Sequence, residues 1–115
     1  MPLSERARVE VYLPDLPLPA YQELHDRLAR EFTYAFGGCT LIHGLTGSYL
    51  SQLDVPVDDR INLLYTDTPF TFDAGFEALS RYADALRQTA FEALEEVAIL
   101  IAVYKVLHSE YPPTT

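Results

Sequence analysis

Two stretches of helical periodicity, each with strand-like segments on both sides, limit what this chain can become. In the first, Tyr21, Leu24, Leu28, Phe32, Ala35 and Phe36 recur mostly three or four residues apart, which gathers them on one helical face. Pro19 suits the first turn, where its missing N–H is not needed, and Gly37-Gly38 supplies the left-handed residue that ends the helix. In the second, Phe76, Leu79, Ala83, Leu86, Ala90 and Leu94 form the apolar stripe, with Asp73 placed as N-cap. Glu95-Glu96 stand at its far end, against the helix dipole, so the helix is expected to fray there.

The flanking segments follow a period of two. Arg8 to Leu13 alternates polar and apolar residues, as a half-buried strand does. A second strand is expected from Cys39 to about Tyr49, with Gly44 and Gly47 marking a bulge or a close backbone approach. Leu53 to Asp59 reads as a connecting loop whose Asp54, Asp58 and Asp59 face solvent. A third strand is expected over Arg60–Thr66, closed by Thr68-Pro69, and a last one from Val97 to about His108. The order strand, helix, strand, strand, helix, strand predicts an α+β fold, a ferredoxin-like βαββαβ sandwich. In it a four-stranded antiparallel sheet carries both helices on one face. A chain of 115 residues fits one such domain, with 110–115 as a flexible tail.

Which side chains reach the uncovered face follows from parity. With Val9, Val11 and Leu13 under the helices, Arg8, Glu10 and Tyr12 point outward; with Ile61 and Leu63 under the helices, Arg60, Asn62, Leu64 and Thr66 point outward. The last strand is apolar on both faces, Val97, Ile99, Ile101 and Val103 on one and Ala98, Leu100, Ala102, Tyr104 and Val106 on the other. Strands of that kind are buried on both sides. One copy lacks the material to do this, so a homodimer is expected, its two sheets facing each other or joined side by side.

Composition excludes several classes. Seventeen acidic against eight basic residues give a net charge of −9, which argues against nucleic acid and anionic lipid as partners. No stretch approaches the ~20 apolar residues that span a bilayer, and the N-terminus lacks a signal-peptide core, so no membrane association is expected and the cytoplasm is the expected location. The lone Cys39 cannot form an intramolecular disulfide and reads as a small apolar residue. His25, His43 and His108 have no metal-ligand spacing, so no metal and no cofactor are expected. Nucleophile-elbow and phosphate-loop motifs are missing from the sequence.

The weak acid–base candidates are His43, in the second strand, and Tyr49 near the hairpin end; His25 falls at the boundary of the first helix. A ligand on the open sheet face would meet Arg8, Tyr12, Arg60, Asn62, Tyr104 and His108. The guanidinium forks of Arg8 and Arg60 match a carboxylate, although pairing with Glu10 on the same surface is the simpler reading.

The stretches Phe32-Thr33-Tyr34-Ala35-Phe36-Gly37-Gly38, Gly47-Ser48-Tyr49-Leu50-Ser51, Asp59-Arg60-Ile61-Asn62 and Tyr65-Thr66-Asp67-Thr68-Pro69-Phe70 resemble those of a group of small uncharacterised bacterial proteins of cyanobacterial type. The likeness covers most of the chain and implies no catalytic residue, because that group has no assigned activity. The leading expectation is therefore a homodimeric binding or regulatory module whose sheet face takes a protein partner or small metabolite. The alternative is a cofactor-free enzyme of the dimeric α/β-barrel type, with its ligand between sheet and helices and a His/Tyr acid–base site. A cavity of about 300 Å³ or more with a histidine beside Tyr or Asp would favour the enzyme.

Overall fold

The computed structural model describes residues 3–94 and 99–109. Its elements run β1 (Leu3–Pro14), α1 (Pro19–Phe36), β2 (Thr40–Leu50), β3 (Pro56–Thr68), α2 (Phe76–Leu94) and β4 (Leu100–Ser109). All strand pairings are antiparallel, in the order β2-β3-β1-β4. This is the predicted βαββαβ sandwich. Residues 97 and 98 of the last strand, Glu95-Glu96 and the 110–115 tail lie outside the described part.

The core forms where the helical stripes meet one face of the sheet. Ala7, Val9, Val11 and Leu13 of β1 are buried there, together with Leu24, Leu28 and Phe32 of α1 and Leu79, Leu86 and Ala90 of α2. Four rings close one end of this layer: Tyr82 lies 6.5 Å from Phe32 and 5.3 Å from Phe36, and Phe36 meets Phe70 edge-on at 6.4 Å. Such tilted and T-shaped pairs add to the stabilisation that burial alone gives.

The predicted boundaries of α1 hold. Pro19 opens it, and Gly37 ends it at φ 91°, donating its N–H to the Thr33 carbonyl. The start of α2 differs. Asp73 is not the cap; a turn closed by the Gly75 N–H on the Thr71 carbonyl intervenes, and the Gly75 carbonyl accepts the first helical bond from Leu79. A Cβ on Gly75 would stand 2.9 Å from the Thr71 carbonyl oxygen and 3.0 Å from Phe70 Cβ, so this close turn requires glycine. The strands are longer than their alternating segments. β3 begins at Pro56, so Val57, Asp58 and Asp59, expected in a loop, form rungs with Tyr49, Ser48 and Gly47.

The facing of β3 is the main correction. Its register with β1 sets Asn62 opposite Leu13, Leu64 opposite Val11 and Thr66 opposite Val9, all on the helix side. Ile61 and Leu63, expected beneath the helices, share the open face with Tyr65 and Asp67 instead. Adjacent Leu63-Leu64 makes both parities look apolar, and three polar side chains decide the outcome by satisfying themselves internally. Asn62, Thr66 and Thr68 are all buried. Asn62 Oδ1 accepts the Gly44 N–H at 3.1 Å, and its Nδ2 donates to Asp15 Oδ1 at 3.2 Å. Thr66 donates to the Gly38 carbonyl at 2.7 Å, and Thr68 Oγ1 accepts the Phe70 N–H at 3.3 Å. Polar groups that keep their hydrogen bonds can be buried at little cost.

In β2 Gly44 marks the expected bulge, whereas Gly47 faces a side chain and not a backbone. The register with β3 slips between Ile42 and Leu45, and Gly44 sits at the slip with φ 72°. At Gly47 a Cβ would come within 2.6 Å of Ile61 Cδ1.

Candidate functional site

The open sheet face has a polar centre with apolar flanks. Arg8 on β1 stands directly opposite Asp67 on β3 and Tyr104 on β4, so three functional side chains form one row across three strands. Arg8 Nε donates to Asp67 Oδ1 at 2.6 Å and its second fork nitrogen to Oδ2 at 3.0 Å, a bidentate pair. The guanidinium also lies over the Tyr65 ring, 4.3 Å from its centroid. His108 Nε2 is 2.7 Å from Asp67 Oδ2. Alongside, the Tyr12 hydroxyl donates to Glu10 at 3.3 Å.

These contacts polarise the groups involved. The Arg8 hydrogen bonds hold the Asp67 carboxyl below its usual range against the opposing effect of burial, with His108 acting in the same direction as Arg8. Asp67 in turn keeps Arg8 charged. Burial, and then Glu10, push the Tyr12 and Tyr104 hydroxyls up. The pairing with Glu10 expected for Arg8 and Arg60 is not formed: Arg8 takes Asp67, and Arg60 lies 3.5 Å from Asp15.

Arg8, Tyr12, Tyr104 and His108 thus meet on the open face, whereas Asn62 does not. It is buried on the helix side, and Arg60 is drawn to Asp15 at the β1 end of that layer. Asp67 and Tyr65 are the members that parity misplaced. The run Ile61, Leu63, Tyr65, Asp67 alternates as cleanly as its complement, and only the burial of Asn62 and Thr66 selects it.

Around this centre the surface is apolar. On β4, Leu100 is 61% exposed and Tyr104 36%; across the sheet, Ile42 is 39% and Leu45 37% exposed. Ile99, Ile101 and Val103 pack on the core from the other side of β4. A single copy therefore packs Ile99, Ile101 and Val103 on the core and leaves Leu100 and Tyr104 of the other flank exposed, with Ala102 and Val106 half-buried.

His43 lies in the register slip between Ile42 and Leu45 and is exposed. It acts on His25, which lies well inside α1 rather than at its boundary and is only 6% exposed. Among the described residues His25 Nε2 has no hydrogen-bond partner. Burial first, and then His43, hold the His25 imidazole below its ordinary value, outweighing Asp15 and Asp26. Its folded pKa lies below its unfolded one, so protons bind the unfolded chain first as the pH drops. The contribution of His25 is complete above about pH 6.5 and is lost below it. The melting temperature should fall from pH 7 to pH 5, and His25→Leu should flatten that slope; an unchanged slope would assign it to other groups.

Tyr49 pairs through its backbone with Val57, and its side chain lies outside the described part. A depression of about 360 Å³ beside the polar centre is lined by Tyr65, Thr66, Asp67 and the turn from Gly37 to Thr40, with neither His43 nor His108 in its wall. Among the described residues no group of three His, Cys, Asp or Glu side chains is placed to hold a metal ion, and no helix is long and apolar enough to cross a membrane.

No family model matches the chain, and no curated protein matches it. Solved structures do. The divalent cation tolerance protein CutA1 from Thermus thermophilus superposes with a TM-score of 0.57 at 18% identity, over 92% of this chain and 87% of that one. CutA1 from Oryza sativa gives 0.60 at 17% identity, over 94% and 85%. CPII from Thiomonas intermedia K12, solved with ADP, AMP and acetate, gives 0.51 at 16% identity, over 96% and 94%. At these identities the likeness shows the fold: the chain shares the ferredoxin-like frame of CutA1 and CPII.

Proposed function

We propose that the chain is a self-associating binding module that works in the cytoplasm, and that the open sheet face is where a second copy docks. The observation that carries this reading is the β4 flank of Leu100, Ala102, Tyr104 and Val106, where Leu100 and Tyr104 are exposed within one copy and Ala102 and Val106 only half-buried. It lies in one plane with the exposed Ile42 and Leu45. Exposed apolar surface of this kind on a soluble chain marks an association site. The polar centre supports docking over catalysis. Arg8 and Asp67 neutralise each other and His108 is engaged by the same carboxylate, while Glu10 beside them accepts from Tyr12, so the row gives a partner a fixed pattern of donors and acceptors. Such pre-satisfied networks set register between surfaces more than they add affinity. The adenine nucleotides bound to CPII support a small metabolite as a further ligand of the assembled module.

Light scattering on the intact chain at micromolar concentration tests the assembly. The expected mass is twice the 13.0 kDa of the chain. Leu100→Glu, at a position exposed in the single copy, should leave the fold intact and return the mass to 13.0 kDa. A wild-type chain that stays at 13.0 kDa throughout would remove the reading.

A further inference from the structure

On the opposite side of the molecule, α1 and α2 leave a groove of about 430 Å³ between them. Leu28, Ala85 and Leu86 form its floor, and Tyr34 and Tyr82 are its aromatic walls. Tyr34 is 87% exposed, an unusual cost for a ring with no ring partner among the described residues. Two guanidiniums, Arg27 and Arg30, line the same groove.

Both stand in one groove without an ion-pair partner among the described residues. In a chain of net charge −9, cations are scarce, and four of the eight form ion pairs here: Arg8 with Asp67, Arg60 with Asp15, Arg87 with Asp84 and Lys105 with Glu5. The one carboxylate in the groove, Glu31, already accepts the Tyr82 hydroxyl at 3.1 Å. Burial, reinforced by Glu31, pushes that hydroxyl well above its ordinary value, so Tyr82 stays an uncharged phenol. The groove therefore offers two free forks above an apolar, aromatic floor, with a volume in the range of small-molecule sites.

We propose that this groove binds a small aromatic acid, a carboxylate or phosphate ester whose ring lies on Leu28, Leu86 and Tyr34 while Arg27 and Arg30 hold the anion. Guanidinium forks suit both anions, and the apolar floor rewards a ring over a bare ion. The site is remote from the sheet face and stands independently of the proposed assembly.

The test is a backbone amide NMR titration of the intact chain with 2-naphthoate and 2-naphthyl phosphate, with the neutral 2-naphthylmethanol as control. Saturable shifts confined to residues 27–34 and 82–89 are expected from both acids. Replacing Arg27→Gln and Arg30→Gln together should weaken the acids by about tenfold or more and leave the alcohol unchanged. Tighter binding of the phosphate than of the carboxylate, lost in the double variant, would name phosphate esters as the class. Shifts elsewhere, an alcohol that binds as well as the acids, or a double variant that binds the acids undiminished would each overturn the proposal.

Discussion

Replacing Asp67 with alanine should destabilise the fold by about 3 kcal/mol, because it leaves a partly buried guanidinium without its bidentate partner. The Arg8 side chain is 24% exposed and that of Asp67 17%, so water can only partly take over the lost bonds. The same substitution releases His108 and weakens the hold on Arg8 above Tyr65. Chemical denaturation of Asp67→Ala, Arg8→Met and the double variant would isolate the pair. The double variant should recover much of the loss, since a guanidinium left alone is worse than none. Additive losses would show that the row contributes no coupling. The pH dependence has a definite sign. The Asp67 carboxyl titrates lower in the folded chain than in the unfolded one, so its contribution is present above about pH 4 and fades as the pH falls further. That decline should vanish in Asp67→Ala.

Phe32→Ala should cost more, about 3–5 kcal/mol. Phe32 is wholly enclosed, and it joins α1 to the ring of Tyr82 on α2. Removing it leaves a void between the sheet and the helices, where neighbours from two rigid elements collapse only in part. Thermal unfolding followed by circular dichroism gives the loss directly. A change below about 1 kcal/mol would mean that the helices close over the gap.

The frame was legible because long periodic segments announce themselves. The stripe from Tyr21 to Phe36, the stop at Gly37 and the alternation of Arg8–Leu13 all correspond to observed structure. The facing of β3 was not legible, and the reason is local. Leu63 and Leu64 satisfy either parity, and the choice rests on Asn62 finding both Gly44 and Asp15, partners 18 and 47 residues away in sequence. No period within the strand encodes such distant bonds. The candidate site shows the same division. Arg8 and Tyr12 belong to β1, whose alternation was clear, and Tyr104 and His108 to β4, apolar on both faces, where parity alone placed them; Asp67 depends on β3. The start of α2 was missed because a turn bond at Gly75 overrides the capping preference of Asp73.

The slip in β2 at Gly44 carries a consequence for growth. The sheet ends on two unlike margins. Along β4 the ladder to β1 runs without interruption from Leu100 to Ser109, and among the described residues no strand pairs with its outer margin. Along β2 the kink breaks the ladder and twists it away, which is how natural sheets refuse lateral neighbours. Lateral addition of a strand would therefore meet fewer obstacles along β4 than along β2.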